Sequence, residues 1–170
     1  GPWANTPSTG TTSYSVSTPA PSAKAQRAYA SCRRSYTMML TDGYYTDSIT
    51  GIGNVDNKLG DEHSTPGGQK WRYEPIAPYK DSHQNSLADI AMKYWVTDLL
   101  KDVDNTVTPT KGTQGDPAFW QHMNFLAITL GLEGSIPQTQ TSLSALSSGS
   151  MQWPAPGRGI TAVDDLWHAT

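Results

Sequence analysis

The stretch Tyr36-Thr37-Met38-Met39-Leu40-Thr41-Asp42-Gly43 decides how this chain is read. A mostly apolar run leads directly into a Thr-Asp-Gly turn, the pattern of a covered strand in an α/β sheet. In such sheets ligands bind beyond the carboxyl ends of the strands, and that is where Asp42 stands. Asp-Gly pairs are also ordinary turn formers, so the motif by itself selects a position and not a chemistry.

A second continuous apolar run, Phe125-Leu126-Ala127-Ile128-Thr129-Leu130, ends at Gly131 and reads as a strand parallel to the first. Parallel neighbours need a long crossover, usually helical. Ser86 and Asp89 form a Ser-x-x-Asp cap that opens a helix over Ser86–Lys101, with Leu87, Ile90, Ala91, Tyr94, Trp95 and Leu99 along its apolar face. Thr161 and Asp164 have the same cap spacing and predict a last helix through Leu166 and Trp167. Residues 142–150 are low in complexity and predict a short helix only. Residues 21–31 have helix-favouring composition. The resulting order, α-β-loop-α-β-loop-α, is half of an open parallel sheet, so the chain reads as a fragment of a larger domain.

Residues 1–21 are set apart: Gly1-Pro2 has the look of a cleaved tag scar, and a Ser/Thr/Pro-rich linker or loop follows. Residues 22–170 form the α/β part. Residues 44–81 are dominated by Gly, Asp, Asn, Pro and Tyr and are too long for an ordinary connection, so they read as an insertion, functional or flexible.

Composition removes several classes of function. The net charge of -3 lacks the basic stripe of a nucleic-acid binder. No apolar run approaches the roughly 20 residues that span a bilayer. Abundant Trp, Tyr, Thr, Ser, Gly and Pro suit an extracytoplasmic protein with long polar loops. Cys32 is the only cysteine, either a buried thiol or one half of a bridge to a segment outside this sequence.

The other polar clusters have plain explanations. Asp102, Asp104 and Asn105 resemble a piece of a calcium loop but lack the full hand pattern, and a solvated turn accounts for them. Asn54, Asp56, Asn57 and Asp61 read the same way. Asp164 and His168 lie one helical turn apart, with Asp164 assigned to the cap. His122 is expected to be a satisfied structural histidine, and His63 and His83 to lie in polar loops without partners at zinc spacing. No Gly-x-Ser-x-Gly and no phosphate-cradling loop is present.

A family comes into view across four blocks. Cys32 to Tyr44, with its Met-Leu-Thr-Asp-Gly-Tyr run, resembles type IV pilus tip-associated adhesins of the PilY/PilC family. So do Leu87-Ala88-Asp89-Ile90-Ala91-Met92-Lys93-Tyr94-Trp95 through Leu99, Asp116-Pro117-Ala118-Phe119-Trp120-Gln121-His122-Met123, and Val163-Asp164-Asp165-Leu166-Trp167-His168-Ala169. The blocks keep their order and spacing over residues 32–170. The resemblance implies the second half of an N-terminal von Willebrand factor A-like domain, with the last block leading toward a β-propeller. It implies a non-enzymatic adhesin and pilus biogenesis factor, exported, at the pilus tip or cell surface, and periplasmic or outer-membrane-associated during assembly. The implied partners are minor pilins or other pilus components, a host or abiotic surface, and the missing half of its own domain.

Type A domains hold Mg²⁺ or Ca²⁺ with an Asp-x-Ser-x-Ser turn, a distant Thr, and the Asp of the Thr-Asp-Gly turn. Only the last of these matches here, at Asp42. A hard dication takes about six oxygen ligands, so Asp42 alone is expected to hold metal weakly or not at all, with no cofactor in this fragment. Two alternatives come from other classes. A secreted carbohydrate-active enzyme would need a second carboxylate at fixed separation from Asp42, and the sequence offers none. A lectin-like module would need its aromatics along one groove.

Overall fold

The computed structural model describes residues 30–42, 44–45, 47–112 and 115–170. Their elements are β1 (Ser35–Thr41), β2 (His63–Ser64), β3 (Lys70–Trp71), α1 (Leu87–Val96), β4 (Met123–Thr129), α2 (Gln140–Ser147) and α3 (Ile160–His168). The linker at 1–21 and most of the helix-favouring stretch after it lie outside the described residues.

The two apolar runs pair as read. β1 and β4 are parallel and in register from Ser35 opposite Met123 to Thr41 opposite Thr129. Leu130 N–H extends the pairing to the Thr41 carbonyl at 3.0 Å. The fold is α/β, with this small parallel sheet joined through α1, which packs against β4. β2 and β3 form a separate two-residue antiparallel pair inside the 44–81 segment.

The expectation of fully covered strands is overturned on one face. Alternate residues of a strand point to opposite sides, and Tyr36, Met38, Leu40, Leu126 and Ile128 lie exposed together, Leu40 at 65%. No third strand joins β1 or β4 among the described residues.

Helix α1 starts as its sequence dictates. The Ser86 hydroxyl accepts from the Asp89 N–H, and the Asp89 carboxylate accepts from the Ser86 N–H. It stops at Val96, not at Lys101. Asp98 Oδ1 takes the Leu100 N–H at 2.9 Å, a side-chain turn that competes with the helix, and the Leu99 N–H goes to the Gln121 carbonyl at 2.8 Å. The buried face is also rotated from the one expected: Ala88 and Asp89 are buried, while Tyr94 is exposed.

Two apolar clusters hold the rest. Ala118, Phe119 and Trp120 pack with Trp71 and Trp95, and the Trp120 indole donates to the Trp95 carbonyl at 2.8 Å. Ile136, Leu146 and Trp153 pack with Met151 and Trp167 beneath α2. Trp71, Trp95, Trp120, Trp153 and Trp167 thus pack in these clusters, and the indoles of Trp95, Trp120 and Trp153 each donate to a polar acceptor. His63, expected in a polar loop, is instead buried in β2. It stacks on Trp120 at 4.1 Å and pairs with the Val96 carbonyl at 2.7 Å.

Described residues of the 44–81 segment are tied to the rest of the fold by hydrogen bonds. Asn85, at φ 60°, accepts from the Ile52 and Gly53 N–H groups at 2.9 and 2.8 Å. Asp89 accepts from Val55 N–H at 2.6 Å, and the Tyr73 hydroxyl donates to the Asp56 carbonyl at 2.7 Å. Cys32 is exposed, which removes the buried-thiol alternative.

Candidate functional site

Asp42 stands at the carboxyl end of β1, exposed to solvent. It belongs to no converging group of metal-ligating side chains among the described residues, and neither do Asp102 and Asp104.

The acidic residues of the last helix are committed elsewhere. α3 begins at Ile160, with Gly159 at the cap position and no side-chain cap, so the Thr161–Asp164 box does not form. Asp164 instead accepts from the Ser135 N–H and hydroxyl at 3.0 and 2.6 Å and from the Ile136 N–H at 3.0 Å. Three donors outbid the single one a local cap would offer. Gly134 completes this corner, because a Cβ there would fall on the Asp164 carboxylate. Asp165 accepts from the first two amides of α1 and from the Tyr45 hydroxyl. Burial, helped by that carboxylate, pushes the Tyr45 hydroxyl pKa up.

A second cluster surrounds Asp116. Its carboxylate pairs with His122 Nε2 at 2.8 Å and accepts from Ala118 N–H, the Trp95 indole and the Asn124 amide. Burial opposes ionisation, but the His122 contact and these donors outweigh it and hold Asp116 down at about 2. His122 Nδ1 meets the Trp120 carbonyl at 2.7 Å. The histidine is structural, as expected.

The third cluster was not legible. Asp56 sits in a turn set by Asn54, whose Oδ1 accepts from Asn57 N–H at 3.0 Å and whose amide donates to the Asp81 carbonyl at 3.2 Å. That turn points Asp56 inward, 1% exposed, toward Asp81 and His168. The reading of Asp56 as a solvated turn residue is thus corrected. His168, one helical turn from Asp164 in the sequence, leaves the last turn of α3 toward Asp56, Tyr79 and Asp81. Its ring stacks on Trp153 at 4.5 Å and 16°. Nε2 lies 3.1 Å from the Tyr79 carbonyl and 3.7 Å from Asp56 Oδ2, and Nδ1 lies 3.5 Å from Asp81 Oδ2.

Asp81 Oδ1 accepts from His83 N–H at 2.7 Å, and Asp56 Oδ1 from Asp81 N–H at 3.4 Å. Asp56 Oδ2 is buried with no hydrogen-bond partner. Burial, with Asp81 adding, pushes the Asp56 carboxyl up to about 7, and burial pushes His168 down. His168 also lines a cleft of about 910 Å³ that runs between α1, β4 and residues 71–79. Only the pairing across long separations reveals this site; no local spacing signals it.

Comparison with known proteins gives the chain its relatives. It is 36% identical over 166 residues to the type IV pilus biogenesis factor PilY1 of Pseudomonas aeruginosa strain UCBPP-PA14. It is 33% and 32% identical over 160 residues to PilY1 of strains PAK and PAO1. The chain is PilY1-like. Each match covers 82% of this chain but only 13–14% of the PilY1 sequences, so a PilY1-like chain of this length corresponds to a small part of those proteins. No protein-family model and no solved structure matches it. No helix among the described residues is long and apolar enough to cross a membrane.

Proposed function

We propose that this chain is a non-enzymatic module of a type IV pilus biogenesis factor and pilus-tip adhesin, exported and working at the cell surface. The observation that carries the reading is its identity of 32–36% with three PilY1 sequences over 82% of its length. The α/β fold suits a binding scaffold, and the carboxylates of Asp116, Asp164 and Asp165 are engaged in structural contacts. The module is one half of a von Willebrand factor A-like domain over residues 22–170. The exposed apolar face of β1 and β4, which no third strand joins among the described residues, supports completion of the sheet by chain from the rest of the longer protein. Asp42 is then the one ligand that this half lends to a Mg²⁺ or Ca²⁺ adhesion site built mainly by the other half. Minor pilins and other pilus components are the assembly partners, and a host or abiotic surface is the adhesion target.

The test is a chimera in which this chain replaces the matching segment of PilY1 in Pseudomonas aeruginosa. Surface piliation, twitching and attachment should persist. A stable, exported chimera that assembles no pili would overturn the reading.

A further inference from the structure

We propose that Asp56, Asp81 and His168 form a binding site for a single borderline transition-metal dication of the zinc(II) class. One ligand atom from each residue lies within 4.8 Å of the other two. The side chains are 1%, 4% and 4% exposed, so the group is inside the fold and is not a surface acidic patch.

The unpartnered Asp56 Oδ2 is the independent observation. A buried carboxylate oxygen with no donor costs free energy, and native structures rarely keep one without a bound water or ion. His168 does not supply the missing donor. At 3.7 and 3.5 Å its nitrogens stand too far from Asp56 Oδ2 and Asp81 Oδ2 for hydrogen bonds. The 3.5 Å from Nδ1 to Asp81 Oδ2 is instead close to the separation of neighbouring ligand atoms around a tetrahedral zinc, about 3.4 Å for bonds near 2.1 Å.

The histidine is also set up as a ligand. The Tyr79 carbonyl, 3.1 Å from Nε2, requires a proton on that nitrogen. The neutral ring then turns its Nδ1 lone pair toward Asp81, which is repulsive in an empty site and productive around a cation. A metal-bound imidazole characteristically gives its other N–H to such a carbonyl. Stacking on Trp153, whose indole is anchored at 2.6 Å to the Pro78 carbonyl, fixes the ring plane. Asp81 is likewise held by the His83 N–H. Asp56 is the one ligand left to close in, by on the order of 1 Å.

The donor set decides the class of ion. Calcium and magnesium take six or more oxygens, and this site offers two carboxylates and one imidazole nitrogen. Nitrogen with carboxylate in a closed three-point set suits zinc, with a water as fourth ligand entering from the cleft that His168 lines. Two carboxylates and one dication also bring the buried charge to zero, which removes the cost of holding both acids ionised.

The experiment is titration of the purified, metal-stripped 170-residue chain with Co²⁺, followed by Zn²⁺. Intense visible d–d bands of tetrahedral cobalt should appear at one ion per chain and be displaced by zinc, with calorimetry giving the zinc affinity. Asp56→Asn, which removes a buried charge and should fold, should weaken binding by at least roughly tenfold. His168→Gln should do the same, and Asp102→Ala, at an exposed position outside the cluster, should leave binding unchanged. Absence of cobalt bands and of zinc heat for folded wild-type chain would overturn the proposal. So would binding that survives both Asp56→Asn and Asp81→Asn. Neither result touches the pilus reading, which the chimera tests separately.

Discussion

Asp165 caps a helix that is not its own. From the middle of α3 its carboxylate accepts the Leu87 N–H at 2.8 Å and the Ala88 N–H at 3.0 Å, the first amides of α1. Those amides carry the positive end of the α1 dipole, so an anionic cap is favoured there. The contact joins helices 78 residues apart in the chain and places His168, one turn onward in α3, beside the 44–81 segment. Tyr45 adds its hydroxyl to the same carboxylate at 2.7 Å.

Asp165→Ala should therefore lower stability by about 2–3 kcal/mol, since it strands two helix amides and one hydroxyl. Tyr45→Phe should cost about 1 kcal/mol. Urea titration followed by circular dichroism reads both, and a loss under 0.5 kcal/mol for Asp165→Ala would show that water replaces the cap.

Local signals in the sequence were reliable where the structure is local. The Ser86–Asp89 box lies within one helical turn, and it forms. The β1 and β4 runs carry enough apolar residues to be strands, and they pair. The end of α1 was hidden because Asp98 and the Gln121 carbonyl compete for amides that an isolated helix would keep. Asp164 looked like a cap because cap spacing is a local pattern, while its real donors, Ser135 and Ile136, lie 29 and 28 positions away. Asp56 looked like a turn residue, and it is one; that its side chain faces inward depends on Tyr73, Asp81 and His168, which no spacing rule connects. The exposed face of β1 was not legible because a mostly apolar run predicts cover on both sides.

Gly134→Ala should destabilise the chain by about 1–3 kcal/mol, because the added methyl meets the Asp164 carboxylate in a corner with no room to move. The clash should disappear with its partner. In an Asp164→Ser background, Gly134→Ala should cost much less, and thermal unfolding of the double-mutant cycle measures the difference. Equal costs in both backgrounds would place the strain in the backbone.

Asp116 predicts an acid limb. Its carboxyl is held at about 2 against an ordinary 3.8, so the folded state releases this proton more readily than the unfolded chain. The stabilisation is complete above about pH 4 and is lost as pH falls toward 2, amounting to roughly 2 kcal/mol. Asp116→Asn should flatten the loss of stability across that window while lowering stability at pH 7. An acid limb unchanged by the substitution would assign it to other carboxylates.

The open sheet face makes the last prediction. A two-stranded pair is marginal by itself, and an apolar face that no further strand extends among the described residues invites association. Met38 and Ile128 are exposed at 63% and 45% on that face. The 170-residue chain should therefore self-associate with rising concentration and bind a hydrophobic dye. Met38→Lys with Ile128→Glu should reduce both signals at a cost within about 0.5 kcal/mol, because neither side chain is buried within the chain. A chain that stays monomeric at high concentration and binds no dye would show that the face needs no cover, and the half-sheet interpretation would fall with it.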